Sequence, residues 1–316
     1  MSDPQLRRAG DRTWLVAVAA SLWGFSALLR EPLSKQMPTL SLVLVEHLVL
    51  VLVVSPWLLP AARALAASSL RSKVGVVVIG AGSSALATVM FTAAFRLGDP
   101  ITPQVLQKLQ PLLALLLAAI ILRERVTSRF PLFAVPAVLG AWLLAFPEPF
   151  GVGVEGFVPA LLAVGAAALW AAGTVLGRLV TAELSYVHLT TLRFAIGLVA
   201  LAAVVMVTGD PVEVPRALVP RLVLLALVPG LLALVLYYLA LRQTPASRAT
   251  LAELAFPLTA AAVGVTLLDG RLDASQWTGF VVVLVSVVAL GLHESRAARP
   301  AVAVDDRAAD ALARPR

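Results

Sequence analysis

Lys108 and three glutamines stand together in a stretch that is otherwise almost wholly apolar, "PITPQVLQKLQPLLALLLAAIIL", Pro100 to Leu122. Gln104, Gln107, Lys108 and Pro111 follow the spacing i, i+3, i+4, i+7, which is one face of a helix. Gln110 falls off that stripe. An ammonium group with amides on one helical face can hold an anionic or zwitterionic solute through charge-assisted hydrogen bonds. A second stretch, Thr250, Glu253, Leu254 and Pro257, repeats the spacing with a carboxylate in place of the amide. Each proline removes an N–H and crowds the carbonyl four residues earlier. The expectation is that Pro111 and Pro257 kink their helices and free the carbonyls of Gln107 and Glu253. A freed carbonyl in an apolar setting needs water, a side chain or a ligand.

Further ionisable or hydrogen-bonding groups lie in apolar runs. They are Glu46 and His47, Arg193, Trp23 in "SLWG", and Tyr237. A charge at a bilayer centre costs about 2.5–3.5 kcal/mol on insertion scales, so each needs a partner or a wet cavity. Glu46, His47, Arg193 and Glu253 are candidates for a proton or ion-pair relay. Each also has a purely structural reading. Lys108 can snorkel to the headgroups, Glu253 can pair with Arg193, and His47 can be a packed, hydrogen-bonded interior residue. Glu46 and His47 are neighbours, about 100° apart on a helix, and cannot both face one cavity squarely. Most tryptophans are interfacial anchors or packing.

The elements that position these groups follow from composition. Of 316 residues, 60% are hydrophobic and 14% charged, and mean hydropathy is +0.93. A soluble domain must meet water over its surface, so this balance indicates an integral membrane protein. There is no cysteine, which excludes disulfides and thiolate sites. With three histidines, His47, His188 and His293, a multi-histidine metal centre is not expected. The charge of +7 is scattered through short loops rather than gathered in a patch, which argues against nucleic acid.

Runs of roughly 20 apolar residues place ten spans at 13–30, 39–59, 74–96, 102–122, 130–147, 156–177, 186–207, 219–241, 247–268 and 274–293. The first run follows Arg7, Arg8 and Arg12 like a signal peptide, but it is long enough to span and is read as retained. Residues 1–12 read as a cytoplasmic N-terminal segment, and 294–316 as a disordered cytoplasmic tail. One set of loops carries Arg63, Arg71, Lys73, Arg123, Arg125, Arg129, Arg178, Arg242, Arg248 and both arginine-bearing termini. The other carries Arg30, Lys35, Arg96, Arg216, Arg221 and Arg271. The bias is roughly threefold and places both termini in the cytoplasm.

"FTAAFRLGDPITPQVLQKLQPLLALLLAAIILRERVTS" from Phe91 aligns without a gap on "YYLALRQTPASRATLAELAFPLTAAAVGVTLLDGRLDA" from Tyr237. The same register lays His47 on Arg193, and a one-residue shift lays Trp23 on Trp170. The fold expected is all-α and membrane-integral, with ten transmembrane helices as two inverted five-helix repeats, 13–147 and 156–293. Five is odd, so the second half enters from the opposite side.

"SLWGFSALL", "LRFAIGLV", "QKLQPLLALLLAAIILRERVT" followed by "GAWLLAF", and "ALWAAGTVLGRL" resemble the EamA domain of the drug/metabolite transporter superfamily, over roughly 13–293. The resemblance implies a ten-helix inverted-repeat carrier with spans 4 and 9 crossing near the centre of a cavity. Three positions depart from the family pattern. Glu46–His47 replaces the span-2 arginine kept as Arg193, Gly270 stands opposite Glu124, and Leu254 stands opposite Lys108.

The function expected is a secondary transporter, an exporter of a small polar metabolite such as an amino acid, working by alternating access. Its solute would be held by Gln104, Gln107, Lys108, Thr250, Glu253, Tyr237 and Trp23. A multidrug or quaternary-amine carrier of the same fold is the alternative. An integral membrane enzyme would need a catalytic constellation, and no H-E-x-x-H, G-x-S-x-G or nucleotide-binding G-x-x-x-x-G-K-[ST] motif is present. A channel would want rings of polar residues from symmetric subunits. No cofactor is expected, with proton or cation coupling left open. The partners expected are a small solute, membrane lipid and, as a protein partner, a second copy in a homodimer. The location expected is a bacterial-type inner membrane.

Overall fold

The computed structural model describes residues 12–123, 128–146, 148, 154–241, 244 and 252–297. Among the described residues the chain is helical, with no strand. The helices are α1 (Thr13–Gln36), α2 (Thr39–Ala67), α3 (Leu70–Leu97), α4 (Thr102–Ile121), α5 (Phe130–Ala145), α6 (Val154–Val180), α7 (Tyr186–Thr208), α8 (Arg216–Tyr237, continuing to Leu241), α9 (Ala255–Leu267) and α10 (Ala274–Ala297). Eight of them are long and apolar enough to cross a membrane; α5 and α9, with 16 and 13 residues, are shorter. Large side chains such as Val207, Ile120 and Leu132 stay exposed, because hydrocarbon rather than water is the solvent for that surface.

Polar side chains set the ends. Ser69 and Ser185 accept the backbone N–H of Ser72 and His188 at the starts of α3 and α7. Asp99 accepts from Ile101 and Thr102 ahead of α4, and Gly209, at φ 68°, ends α7 in the left-handed conformation.

Three boundaries differ from those the sequence suggests. The first helix does not stop at residue 30 but runs through Arg30 to Gln36. Arg30 is therefore not a loop cation: it is 6% exposed and ion-paired, which lets a guanidinium sit inside a span. The second helix extends to Ala67, past Arg63. The last helix continues to Ala297, into the segment read as tail; 298–316 lie outside the described residues.

Packing joins the front and back of the chain. α1 packs on α8 and α9, and α6 packs on α3 and α4. α2 packs on α7, and α5 on α10. The last pair meets at small residues: a Cβ on Gly140 would come within 2.9 Å of the Gly279 carbonyl, so only glycine allows this approach. Exchanging the first five helices for the last five maps this set of contacts onto itself.

The backbone irregularities repeat as well, in the register that lays Phe91 on Tyr237. α3 widens into a π-helical stretch ending at Leu86, and α8 does so ending at Leu232, its equivalent. Arg123 (φ 56°) and Asp269 (φ 53°) are equivalent, and are the non-glycine residues of positive φ among those described. Two apolar clusters are also related. Val43, Leu222 and Leu225 of one fall on Leu189, Val76 and Ile79 of the other. A π-helical stretch and a left-handed non-glycine residue are each uncommon, and both recur at equivalent positions of the two stretches.

Candidate functional site

α4 and α9 both change geometry ahead of their prolines, and they do so alike. The residue before each proline donates its N–H three residues back: Gln110 to the Gln107 carbonyl, and Phe256 to the Glu253 carbonyl at 3.1 Å. The expectation that Pro111 and Pro257 leave these carbonyls unpaired is thus corrected. A tight 3₁₀-type turn supplies the donor that the proline cannot. What remains is a local break at the same place in both helices, carrying Gln107 and Lys108 on one and Glu253 on the other.

Around the α9 break the structure gathers residues from four helices. Tyr237 of α8 donates its hydroxyl hydrogen to Oε1 of Glu253. Its ring lies 5.1 Å from that of Trp23 of α1, tilted by 53°. Lys108 of α4 holds its Nζ 4.3 Å from the centre of the Phe256 ring, and the Glu253 carboxylate is the opposing charge acting on it. The two are not in contact as an ion pair, so both charges keep capacity for a third group. Trp23, Lys108, Tyr237 and Glu253 are all half-buried. Gly24 lets α1 come this close to α9; a Cβ there would sit 2.6 Å from the Phe256 carbonyl oxygen and 2.7 Å from Thr259.

The glutamines separate. Gln104 is fully buried, and neither its amide nitrogen nor its oxygen has a partner. An unpaired buried amide costs about 1–3 kcal/mol, so its retention points to something other than packing. Gln107 is half-buried, while Gln110 makes a long 3.5 Å contact to Thr174 of α6. Thr250 lies outside the described residues.

A second polar cluster joins α1, α2, α3 and α7. Arg30 donates to Glu46 and to Thr92, both at 2.7 Å, and all three are buried. His47 has Nδ1 2.9 Å from the Val43 carbonyl and Nε2 3.0 Å from the Ser84 hydroxyl. A carbonyl only accepts, so Nδ1 carries a hydrogen, and Nε2 is hydrogen-bonded to the Ser84 hydroxyl. Arg193 bears electrostatically on His47 and lies 5.6 Å from the Phe194 ring centre. No ion pair joins it to Glu253, whose Oε1 accepts from Tyr237. Glu46, His47 and Arg193 are therefore brought together, while Glu253 belongs to the other group.

Sequence reasoning missed Arg30, Thr92, Ser84 and Phe256. The available signal for Arg30 was a charge between two apolar segments, opposite another charge sixteen residues on. Among the described residues, no group of three or more metal-capable side chains gathers.

Comparison with known proteins agrees with this architecture. A riboflavin transporter, ImpX, of Fusobacterium nucleatum subsp. nucleatum is 26% identical over 286 residues, covering 87% of this chain and 95% of its own. A solved crystal structure superposes with a TM-score of 0.61 at 19% identity, covering 91% of this chain and 99% of its own, which shows the fold. The model of the EamA-like transporter family matches residues 13–146 and again 158–292. Eight apolar helices of spanning length and two consecutive family matches together mean that this chain is a multi-pass membrane protein of the EamA-like transporter family.

Proposed function

We propose that the chain is a secondary transporter exporting a small polar metabolite, an amino acid first among them, by alternating access around the broken turns of α4 and α9. The observation that carries this reading is the half-buried pair Lys108 and Glu253, opposite charges on two-fold-related helix breaks and not in contact with each other. Lys108 offers an ammonium to a carboxylate. Glu253 offers a carboxylate to an amine, and Tyr237 orients it. Gln104 and Gln107 supply amides along the α4 face and Thr250, in the equivalent sequence stretch before Pro257, a hydroxyl, with Trp23 as an apolar wall.

In this reading all ten helices span, α5 and α9 included, and the halves 13–147 and 156–293 have opposite orientation. The repeated π-stretches, 3₁₀ turns and left-handed residues support two copies of one unit. Opposite orientation lets the same inter-half contacts close one side or the other. Arg30 lies inside α1 and leaves the poorer loop set, while Arg63 of the richer set lies inside α2, so the charge bias toward cytoplasmic termini in a bacterial-type inner membrane is retained. Proton coupling would run through Glu253 or the Glu46–His47–Arg193 group. A homodimer is proposed on the same footing.

A second reading is favoured by one observation: a relative sharing most of its length is named a riboflavin transporter. The solute would then be flavin-like rather than an aliphatic zwitterion. Counterflow into liposomes holding the purified chain, with labelled amino acids, quaternary amines and riboflavin in parallel, tests both. Saturable uptake of one class, lost in Lys108→Leu and Glu253→Gln, is the result expected. If no solute moves, or both variants transport normally, the carrier reading is wrong.

A further inference from the structure

Lys108 and Glu253 carry opposite charges in a half-buried setting, yet they form no ion pair. Attraction between such charges grows where water is scarce, so something holds them apart. Among the described residues, the Lys108 ammonium meets the Phe256 ring, with Nζ 4.3 Å from its centre, and feels the Glu253 carboxylate at longer range. Glu253 gives Oε1 to the Tyr237 hydroxyl. Each charge is therefore held by an uncharged aromatic side chain and not by the other.

The local backbone places Phe256 for this task. It follows Glu253 by one tight turn, and its N–H donates to the Glu253 carbonyl at 3.1 Å. Ring and carboxylate thus share a turn of α9, and α4 presents the ammonium to both. Phe256 is itself fixed, 3% exposed and with Gly24 of α1 against its carbonyl. A ring face attracts an ammonium through its quadrupole, more strongly out of water. The repeat register adds an independent observation. Lys108 falls on Leu254 and Phe256 falls on Gln110, so the cation and the ring both depart from the symmetry, and they meet each other across the two halves.

A salt bridge between Lys108 and Glu253 would occupy both charges, and a zwitterion would have to break it to bind. Keeping them apart leaves an ammonium and a carboxylate preorganised for a solute that carries both groups. Resting on the carrier reading above, we infer that Phe256 is a positioning residue whose ring holds the Lys108 ammonium apart from Glu253, and so sets the preference of the site for solutes bearing a carboxylate as well as an amine. It acts through Lys108 and need not touch the solute.

The test uses the full chain in nanodiscs, with its lysines isotopically labelled at Cε. The lysines are Lys35, Lys73 and Lys108, and Lys108→Leu identifies the last signal. Protons over a ring face resonate upfield, so the Lys108 Hε signal should lie upfield of the other two. Phe256→Leu should move it to their position, and Phe256→Tyr should keep it. In liposomes, Phe256→Leu should raise KM for L-leucine about two- to thirtyfold, the span of a cation–π contact from exposed to desolvated sites, with kcat changed less. Isoamylamine, the same molecule without its carboxylate, measured as a substrate or as a competitor of L-leucine, should be unaffected, whereas a purely structural defect would weaken both. A trifluorinated phenylalanine at position 256 keeps nearly the same ring size but weakens the negative face. It should raise the L-leucine KM in the same way, and it decides the outcome should Phe256→Leu not fold. A Lys108 signal beside the other two, a signal unmoved by Phe256→Leu, or an L-leucine KM that rises no more than the value for isoamylamine overturns the inference and leaves carriage standing. An upfield signal that Phe256→Leu abolishes, with neither solute crossing in the parent chain, overturns carriage of amino acids and leaves the positioning of Lys108 standing.

Discussion

Tyr237 and Glu253 are joined by a hydrogen bond from the phenol to Oε1, across the α8–α9 connection. The bond engages Oε1, so in the carrier reading proposed above Oε2 is the oxygen that would meet a solute amine. A hydrogen bond to a charged group contributes about 1.5–3 kcal/mol. Tyr237→Phe should therefore raise KM for a cationic solute about tenfold or more while kcat changes less. Glu253→Gln, which keeps the shape but removes the charge, should reduce kcat/KM further still. Initial-rate flux in liposomes checks both. An unchanged KM in Tyr237→Phe would show that the phenol has no part in orienting the carboxylate.

The Arg30–Glu46 pair makes a different prediction. Both residues are buried at 2.7 Å separation, and Arg30 Nε and Glu46 Oε2 have no partner. Removing one member strands a charge in a low dielectric, at about 3–5 kcal/mol, whereas replacing both by apolar residues is often neutral or stabilising. Glu46→Leu alone should be strongly destabilised, and Arg30→Met with Glu46→Leu should recover most of the loss. The second half supports this, since Leu192 occupies the position equivalent to Glu46 and is buried in an apolar cluster. Thermal unfolding in detergent of the two single variants and the double variant gives the coupling directly.

Residues 13–293 read as spans because hydrocarbon imposes one rule, that apolar runs of about 20 residues be helical. The repeat was legible because Phe91–Ser128 aligns on Tyr237–Ala274 without a gap. The misplacement of Arg30 shows where reading fails. A scale of residue hydropathy ends a span at the first guanidinium, and only the three-dimensional approach of Glu46 and Thr92 tells that this one is inside. The carbonyls of Gln107 and Glu253 fail likewise. Proline chemistry announces the lost donor, but whether a 3₁₀ turn replaces it depends on backbone freedom that the sequence does not state. The pairings Trp23–Tyr237 and Lys108–Phe256 come from helices remote in sequence, so neither could be read along the chain.

Glu183 gives the pH dependence. Its carboxylate accepts the Ser69 N–H and hydroxyl, both at 2.7 Å, and ties the α6–α7 turn to the start of α3. The Ser69 backbone and side-chain bonds, with Ser72 behind them, lower its pKa below the ordinary glutamate value. A carboxyl whose folded pKa is depressed stabilises the fold fully above its unfolded value. That contribution is lost as pH falls through the lower, folded value. Amide exchange at Ser69 and Ser72 should thus be slow and level at neutral pH, relative to intrinsic rates, and lose protection in the acid range. Glu183→Gln should have little protection to lose. Acid-induced loss of equal size in Glu183→Gln would assign the effect to another group.

Gly24 offers a test of whether the α1–α9 contact sets the site. An added Cβ would meet the Phe256 carbonyl oxygen at 2.6 Å, backbone that cannot swing aside, so α1 must move. Overpacking of this kind costs about 1–3 kcal/mol. Phe256 also carries the ring against which Lys108 rests, and Trp23 precedes Gly24, so displacement reaches both the cation and the aromatic wall. Gly24→Ala should lower the melting temperature and weaken solute binding together. Gly82→Ala is the control, because its Cβ would meet only Leu169, at an ordinary 3.8 Å, and it lies in the π-stretch of α3 rather than at the α1–α9 crossing. If Gly24→Ala binds solute as the parent chain does while its stability falls, the crossing holds the bundle together but does not place the site.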